Sequence, residues 1–311
     1  MSRKVKVALV QASPVLFDLN RTIEKIQGLI EESSKDSPDL ILFPEAFIPA
    51  YPRGLSFGSP VGSRSDLGRD LWQLYWENSL DLESPEFESL SAIIKTARCY
   101  VAIGIIEKES IGNGSLYCTM LYFNPKGELI GKHRKLKPTA AERIIWAEGD
   151  GSTLTTFNTP LGIIGGLICW ENYMPMARMS MYEKGVEIYL APTADHRESW
   201  QATMCHIACE GRCFVLGCNQ FVTKDMYPTD LPGIEELKDQ PEIMSRGGSV
   251  VVDPMGNVIA GPLFDEEGIL SAELDMDLIP RSKMDFDAIG HYNRPDVFKL
   301  KVKKQPPTIK E

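Results

Sequence analysis

The sequence lacks the features of an exported or membrane-anchored protein. It has no signal peptide and no apolar stretch long enough to cross a bilayer, and its seven cysteines are an odd number. A disulfide framework in a secreted protein usually has an even number of cysteines. We therefore expect a cytoplasmic protein in a reducing compartment, with no disulfides and no membrane partner.

Basic charge is also scarce. Lysine and arginine number 33 against 43 aspartates and glutamates, which gives a formal net charge of −10. Nucleic acids and anionic membranes both require a basic surface, so this balance argues against either partner. The basic run Lys132–Lys137 is too short to overturn that conclusion.

Motifs for a cofactor or a metal are missing as well. Gly112 and Gly114 lack the flanking strand and helix of a phosphate-binding loop, so they predict a turn. Cys205, Cys209 and Cys213 recur every four residues, which would align three thiols on one helix face. Three ligands in a line cannot close a tetrahedral zinc shell, and we interpret these thiols as small apolar packing groups. The sequence predicts neither a cofactor nor a metal.

The chain contains instead abundant apolar sequence in alternating strands and helices. At 311 residues with 43% hydrophobic residues, it is long enough for one large α/β domain. Strand patterns at Val5–Ala12 and Leu40–Phe43 flank a helical pattern at Leu19–Ser34, and the alternation continues along the chain. Pro52–Ser65 and Lys224–Arg246 predict long loops that overhang a pocket or join subunits.

The most informative segment is the apolar run Leu161–Ile168, which ends on Cys169 and then turns polar at Glu171. The run predicts a buried strand, and Pro175 marks the turn into a helix. A thiol at the start of a helix lies near the positive end of the helix dipole, which lowers its pKa and favours the thiolate. Cys169 is therefore a candidate nucleophile, with simple buried packing as the alternative.

Two further segments place a charged residue beside an apolar run. Glu45 is the only ionisable carboxylate between Asp39 and Arg53, and apolar surroundings would raise its pKa and suit it to general acid or base work. Lys135 lies in the basic run Lys132–Lys137, where a predicted strand leaves the core. Taken alone, either segment is compatible with a loop or strand end that reaches water.

Together, the three segments resemble the catalytic centre of the nitrilase superfamily of carbon-nitrogen hydrolases. A glutamate after Leu-Ile-Leu-Phe-Pro, a lysine in His-Arg-Lys-Leu-Lys-Pro-Thr and a cysteine in Gly-Gly-Leu-Ile-Cys-Trp-Glu-Asn match the order and spacing of its Glu-Lys-Cys triad. Cys169–Glu171, Lys135–Arg143 and Gly290–Phe298 are typical of the nitrilase branch. The resemblance extends from about Val5 to Phe298.

The resemblance implies a fold and a domain layout. It implies an α/β, four-layer α-β-β-α sandwich over residues 1–298, followed by a short polar tail over residues 299–311. We expect the tail, with Pro306 and Pro307, to be disordered or to wrap around another subunit. A homodimer or a higher homo-oligomer is expected, whereas the shortness of the tail argues against helical filaments.

A mechanism is implied as well. Cys169 attacks a nitrile carbon to give a covalent thioimidate, and Glu45 acts as the general base that takes the thiol proton and later activates water. Lys135 stabilises the developing negative charge together with a backbone N–H near Trp170. Water then releases ammonia and the carboxylic acid.

Four other side chains are assigned to the same site. Glu142 matches a second glutamate near the family's active sites, and a surface ion pair with Arg143 is the alternative. Tyr51 and Trp170 are expected to line an apolar pocket for an aryl or arylalkyl nitrile, although aromatic residues are also ordinary core residues. His196 is a further substrate-binding candidate, with a solvated or structural histidine as the alternative.

Two other functions are compatible with the sequence. An amidase or an N-carbamoyl amide hydrolase would use the same triad but accept an amide and spare the nitrile. A non-catalytic scaffold would keep the fold for protein interactions through the two long loops. A scaffold has no need of three ionisable groups that are costly to bury. The sequence therefore favours a nitrilase, with a small-molecule nitrile as its partner.

Overall fold

The computed structural model describes residues 3–109 and 114–304. The α-helices in these ranges are α1 Leu19–Ser33, α2 Asp66–Glu77, α3 Pro85–Thr96, α4 Pro175–Glu183, α5 Glu198–Gly211 and α6 Leu278–Ser282. Short 3-10 helices lie at Ser34–Asp36, Ala140–Ile144, Gly151–Thr153, Cys169–Tyr173, Lys224–Met226 and Ile234–Leu237. Every helix within the described ranges is too short or too polar to cross a lipid bilayer.

Fourteen β-strands lie in the same ranges. The strands of the first sheet are β1 Lys4–Gln11, β2 Leu40–Leu42, β3 Leu80–Asp81, β4 Tyr100–Lys108, β5 Leu116–Phe123, β6 Leu129–Arg134 and β14 Gly268–Asp275. Those of the second sheet are β7 Thr156–Thr159, β8 Gly162–Gly166, β9 Ile188–Thr193, β10 Phe214–Asn219, β11 Phe221–Thr223, β12 Ile243–Val252 and β13 Val258–Phe264.

The two sheets are mixed, and each contains a parallel centre. The first has the strand order β14-β1-β2-β4-β5-β6 and the second β11-β12-β10-β9-β8-β7, with β3 and β13 paired to β4 and β12. Strands β1, β2 and β4 run parallel, as do β8, β9 and β10. Parallel strands end on the same edge of a sheet, so residues that follow them are brought close together.

Alternation along the strands divides the apolar side chains into three cores. Val7 and Leu9 of β1 lie in the core between the two sheets, whereas Ala8 and Val10 lie in a second core with α1 and α3. Val215 of β10 lies in a third core with α4 and α5. The resulting order of helices, sheet, sheet and helices confirms the predicted four-layer α-β-β-α sandwich.

Helix α2 was not anticipated from the sequence. It begins one residue after the predicted loop Pro52–Ser65, and the Ser65 hydroxyl caps it by accepting the N–H of Gly68 at 3.0 Å. Leu71 and Tyr75 are buried along one face of the helix. The apolar periodicity of α2 is nearly as strong as that of α1, so the signal was present in the sequence and was overlooked beside the Gly- and Pro-rich segment that precedes it.

The two predicted loops differ in outcome. Pro52–Ser65 contains neither helix nor strand, as predicted. The second loop is shorter than predicted, because β12 already begins at Ile243 and pairs with β11. Leu237 and Met244 from this region lie against Gly54 of the first loop, so the two segments support each other at one end of the sandwich.

The predicted tail lies partly within the described residues. Val302 packs on the third core and lies near Gly151, so the tail contacts its own chain at this residue. Pro306 and Pro307 of the tail lie outside the described residues, as does Gly112 of the predicted turn.

All seven cysteines are free thiols. Helix α5 ends at Gly211, so Cys213 lies beyond it and the three thiols do not share one helix face as the spacing predicted. Cys213 is buried, whereas Cys205 and Cys209 are partly exposed. Among residues 3–109 and 114–304, no cluster of three or more histidine, cysteine, aspartate or glutamate side chains is arranged to hold a metal.

Candidate active site

Residues that follow strand ends in both sheets meet in one buried cluster. Glu45 follows β2, Lys135 directly follows β6, and Cys169 follows β8 after two residues. Thr193 is the last residue of β9, the strand that runs parallel to β8. All four are at most 4% exposed, so their charges interact through the protein rather than through water.

Lys135 lies between two carboxylates. Its Nζ donates to Glu45 Oε1 at 2.7 Å and to Glu142 Oε2 at 2.8 Å, and it lies 5.5 Å from the centre of the Trp146 ring. Burial by itself lowers the pKa of Lys135, but the charges of Glu45 and Glu142 outweigh burial and raise that pKa well above its ordinary value. Lys135 is therefore a permanent ammonium.

Glu45 keeps one carboxylate oxygen free. Oε1 accepts from Lys135 and lies 3.5 Å from the Cys118 thiol, whereas Oε2 has no hydrogen-bond partner among the described residues. Burial raises the pKa of Glu45, and the opposing effect of the Lys135 ammonium only partly offsets it. Gln220 holds the backbone in place by donating its Nε2 to the Glu45 carbonyl at 2.8 Å. The free oxygen is suited to accept a proton.

Cys169 is held by its backbone and by one neighbour. It has a φ of 49°, in the left-handed region, and it begins the 3-10 helix Cys169–Tyr173. The Thr193 hydroxyl donates to its Sγ at 3.1 Å. This turn follows the end of β8 after two residues. It removes the Cys169 side chain from the alternating side-chain directions of the strand.

The expectation of a lowered thiol pKa at Cys169 is wrong. Burial raises the pKa of Cys169 far above its ordinary value, and the charge of Glu45 raises it further. The helix that follows is a short 3-10 turn, since α4 begins only at Pro175, so no long helix dipole favours the thiolate. The resting thiol is protonated and depends on a base for its activation.

Glu142 lies inside the cluster. Its Oε2 accepts from Lys135 and from the backbone N–H of Thr139 at 2.6 Å, and its Oε1 accepts from the Tyr51 hydroxyl at 2.7 Å. Arg143 donates its Nε to the Pro138 carbonyl at 3.0 Å. The alternative of a surface ion pair between Glu142 and Arg143 is therefore wrong.

Glu171 is a structural member of the site, to which the sequence interpretation gave no role beyond a turn and a place in the segment Cys169–Glu171. Its carboxylate accepts from the N–H of Ile168 at 2.8 Å, from the N–H of Leu136 at 2.6 Å, and pairs with His133 Nε2 at 3.0 Å. It thus ties the segment after β6 to the segment after β8. Two features of the sequence could have indicated this role. Glu171 comes just after an apolar strand pattern, and His133 in His-Arg-Lys offers it a basic partner.

Asn172 holds the same turn from within. Its Nδ2 donates to the carbonyls of Leu167 and Cys169 at 3.0 and 2.8 Å, and its Oδ1 accepts from the Tyr189 hydroxyl at 2.7 Å. Arg178 of α4 donates to the Asn172 carbonyl at 2.7 Å. These bonds satisfy the buried backbone of the turn and fix the position of the thiol.

A cavity of about 290 Å³ opens beside Cys169. All three residues predicted to bind substrate line it, namely Tyr51, Trp170 and His196. Trp170 is exposed, and its Nε1 donates to Asp195 Oδ2 at 2.8 Å. A second cavity of about 520 Å³ shares Tyr51 and Glu142 with the first and is lined largely by the loop that follows Pro52.

The sequence is similar to several nitrilases over nearly its whole length. It is 49% identical to an aliphatic nitrilase of Sinorhizobium fredii, covering 97% of each chain. It is 46% identical to a bifunctional nitrilase/nitrile hydratase of Lupinus angustifolius, covering 97% of this chain and 87% of that protein.

Solved structures and a family model agree with this similarity. A carbon-nitrogen hydrolase from Helicobacter pylori G27 superposes with a TM-score of 0.74 at 20% identity, covering 96% of this chain and 97% of the other. Saccharomyces cerevisiae Nit3 superposes with a TM-score of 0.69 at 23% identity, covering 94% and 98%. The carbon-nitrogen hydrolase family model matches residues 6–283. The chain therefore belongs to the carbon-nitrogen hydrolase family and is a hydrolase that acts on carbon–nitrogen bonds.

Proposed function

We propose that this hydrolase converts an organic nitrile into the carboxylic acid and ammonia, with Cys169 as its nucleophile. The observation that carries the proposal is a protonated thiol on the cavity wall beside Glu45, whose Oε2 lacks a hydrogen-bond partner among the described residues. The two relatives described above, named as nitrilases, support the choice of a nitrile over an amide.

The first half of the reaction forms a thioimidate. Glu45 takes the thiol proton as Cys169 Sγ bonds to the nitrile carbon, and the proton passes to the nitrile nitrogen. The Lys135 ammonium stabilises the negative charge that develops, and the backbone N–H of Trp170 is a second proposed donor. The high pKa of Cys169 fits this sequence of events, because the thiol would be inert without the base.

The second half consumes two waters. Glu45 activates the first water, which adds to the thioimidate carbon, and ammonia leaves as the carbon–nitrogen bond breaks. A second water attacks the resulting thioester, and breaking the carbon–sulfur bond returns the Cys169 thiol and releases the acid. Loss of the thiol in place of ammonia, after the first water has added, would release an amide.

Two thiols lie near Glu45, and only one of them is accessible to substrate. Cys118 of β5 lies 3.5 Å from Glu45 Oε1, but it is 1% exposed and does not line the 290 Å³ cavity. Cys169 lines that cavity. Access to the cavity, rather than proximity to Glu45, therefore supports Cys169 as the nucleophile.

The experiment that tests the proposal is a substrate panel. We would measure ammonia release from aryl, arylacetic and aliphatic nitriles and from the matching amides, and identify each product by chromatography. Turnover of nitriles to acids is the expected result. Turnover of amides with nitriles spared would instead establish an amidase or N-carbamoyl amide hydrolase with the same triad.

The aryl or arylalkyl preference predicted from Tyr51 and Trp170 is part of this proposal, and Trp170→Ala tests it. We expect the variant to lose about 2- to 10-fold in kcat/KM on aryl nitriles relative to alkyl nitriles, which corresponds to one aromatic contact. Tyr173→Ala is the matched control, because Tyr173 lies edge-on to Trp170 at 5.6 Å but does not line the cavity. Unchanged relative rates in Trp170→Ala and Tyr51→Ala would reject the aryl pocket.

Glu142→Gln tests the role of the second glutamate. We expect kcat/KM on any accepted nitrile to fall about 10- to 100-fold, since the change weakens a charge-assisted hydrogen bond that positions Lys135. Arg143→Gln, at the next residue, should leave kcat/KM within about 2-fold because surface substitutions away from such contacts have small effects. Full turnover by Glu142→Gln would remove Glu142 from the catalytic machinery.

Some expectations from the sequence stay predictions. They are the homodimer or higher homo-oligomer, the cytoplasmic location, the absence of nucleic-acid and membrane partners, and the division between residues 1–298 and the tail. Light scattering on the purified chain would measure the oligomeric state directly.

A further inference from the structure

Among the charged residues that line the 290 Å³ cavity, one has no partner of opposite charge within the described residues. Arg53, Glu142, Asp195 and Arg197 are the charged residues that line it, beside the histidine His196. Glu142 is paired with the Lys135 ammonium. Asp195 and Arg197 form a bidentate pair, with Nε to Oδ1 at 2.8 Å and Nη2 to Oδ2 at 2.6 Å. Arg53 has no carboxylate partner among residues 3–109 and 114–304.

Arg53 is nevertheless held in place. Its Nη2 donates to the Ala194 carbonyl, its guanidinium lies 5.3 Å from the centre of the Tyr51 ring, and its own carbonyl accepts from the Tyr227 hydroxyl at 3.1 Å. The remaining N–H groups of the guanidinium have no acceptor among the described residues. A half-buried arginine that is positioned but not neutralised is costly unless a ligand supplies the charge.

The neighbouring His196 adds no second positive charge to the cavity. Burial lowers the pKa of His196, and the charge of Arg53 lowers it further, so the ring is neutral at physiological pH. Its Nδ1 is buried and has no hydrogen-bond partner among the described residues. Arg53 and His196 therefore both line the cavity with hydrogen-bonding groups that no described residue engages.

The space beyond Arg53 is also open. Arg53 lines both the cavity beside Cys169 and the 520 Å³ cavity that adjoins it. A ligand with its cyano group at Cys169 can therefore extend along the wall to the guanidinium. The planar fork of an arginine can bind both oxygens of a carboxylate.

We propose that Arg53 is a specificity-determining residue that binds a carboxylate on the substrate, so that the preferred nitriles are cyano-acids whose carboxylate is remote from the cyano group. This proposal rests on the proposed function and adds the substrate class. It applies to aliphatic and to aryl cyano-acids, because the argument concerns the far end of the ligand.

Matched pairs of acid and neutral nitrile test the proposal. We would measure kcat and KM for cyanobutanoate against pentanenitrile, and for para-cyanobenzoate against para-tolunitrile, since each pair differs by a carboxylate in place of a methyl group. The wild type should prefer the acid by about 10-fold or more in kcat/KM. Arg53→Gln should lower kcat/KM for the acids about 100-fold, mainly through KM, and change the neutral nitriles by less than about 3-fold.

Two variants serve as controls. One keeps the charge of Arg53, and the other removes an arginine elsewhere. Arg53→Lys keeps the charge without the fork and should recover part of the acid preference. Arg294→Gln removes an arginine that does not line the cavity and is already engaged by Asp296, and it should leave the ratio of acid to neutral nitrile unchanged. Thermal unfolding of each variant shows whether a loss of rate reflects a loss of fold.

The possible outcomes separate the role of Arg53 from the proposed function. Hydrolysis of neutral nitriles with no preference for the acids in the wild type would overturn the role of Arg53 and leave the proposed function intact, even if Arg53→Gln failed to fold. An equal loss on acids and neutral nitriles in a folded Arg53→Gln would likewise overturn it and indicate a structural residue. Hydrolysis of no nitrile in either pair would overturn both proposals.

Discussion

Cys169→Ala is expected to lose about 10⁴-fold or more of the nitrile turnover, because the variant has no atom that can form the thioimidate. Alanine fits the site, since it removes only the sulfur that accepts from the Thr193 hydroxyl. The fold should therefore persist, with a cost of about 1 kcal/mol for the small cavity. Ammonia release and circular dichroism on the same samples separate loss of chemistry from loss of structure.

Cys99→Ala is the matched control for this change. Cys99 is also a buried thiol whose pKa is raised by burial, to about 12, but it lies in the core beneath α1 and α3. Its replacement should cost similar stability and leave turnover within about 2-fold. Intact-protein mass spectrometry during turnover should detect an acyl or imidoyl adduct in Cys99→Ala and none in Cys169→Ala. Residual turnover in Cys169→Ala near the wild-type rate would exclude Cys169 as the nucleophile.

Lys135→Met is expected to abolish turnover and also to destabilise the fold. The ammonium is 1% exposed and holds Glu45 and Glu142 at 2.7 and 2.8 Å, so its removal leaves two buried carboxylates without a counter-charge. Removal of one partner of a buried ion pair costs about 3–5 kcal/mol. Chemical denaturation measures the free energy of unfolding, and ammonia release measures the turnover.

The loss of stability in Lys135→Met should depend on pH. Lys135 lowers the pKa of Glu45 against the effect of burial, so without it that pKa rises further above the ordinary 4.5. The folded variant then binds a proton that the unfolded chain has released, and stability falls as pH rises above 4.5 through the raised pKa of Glu45. We expect a larger deficit relative to the wild type at neutral pH than at a pH near 5.

A second substitution separates the charge from the chemistry. Glu142→Gln added to Lys135→Met removes one of the two uncompensated carboxylates and should recover part of the stability but none of the turnover. Lys137→Met is the surface control, because its pair with Glu148 is about half exposed on both sides and contributes at most about 1 kcal/mol. An unfolding free energy for Lys135→Met equal to that of the wild type at both pH values would contradict the buried ion-pair network.

The largest error of the sequence interpretation concerns the protonation of Cys169. The expectation of a lowered pKa came from its place before a helical pattern, which is a local property of the sequence. Burial and the charge of Glu45, which follows β2 of the other sheet, instead raise the pKa of Cys169. The consequence for mechanism is substantial, because a protonated thiol makes the base obligatory for the first bond-forming step.

The residues missed from the sequence share a different property. Arg53 and Thr193 carry no motif that distinguishes them from loop arginines and strand-end threonines, and Glu171 lies in the segment Cys169–Glu171 without a role that the segment itself reveals. Their importance comes from partners distant in the sequence, such as the Ala194 carbonyl for Arg53 and His133 for Glu171. Helix α2 was missed although its apolar periodicity is nearly that of α1, because the Gly- and Pro-rich segment before it was interpreted as a loop.

The sequence by itself determined the alternation of strands and helices, the α/β fold and the segments that carry Glu45, Lys135 and Cys169, because these depend on local periodicity and on short motifs. Only the tertiary structure decided that Lys135 bonds Glu45, 90 positions away, that Glu142 belongs to the same cluster and that Arg53 lacks a carboxylate partner within the described residues. The physical reason is that pKa values and ion pairs depend on burial and on distances of a few ångströms, which arise when strand ends from two sheets converge.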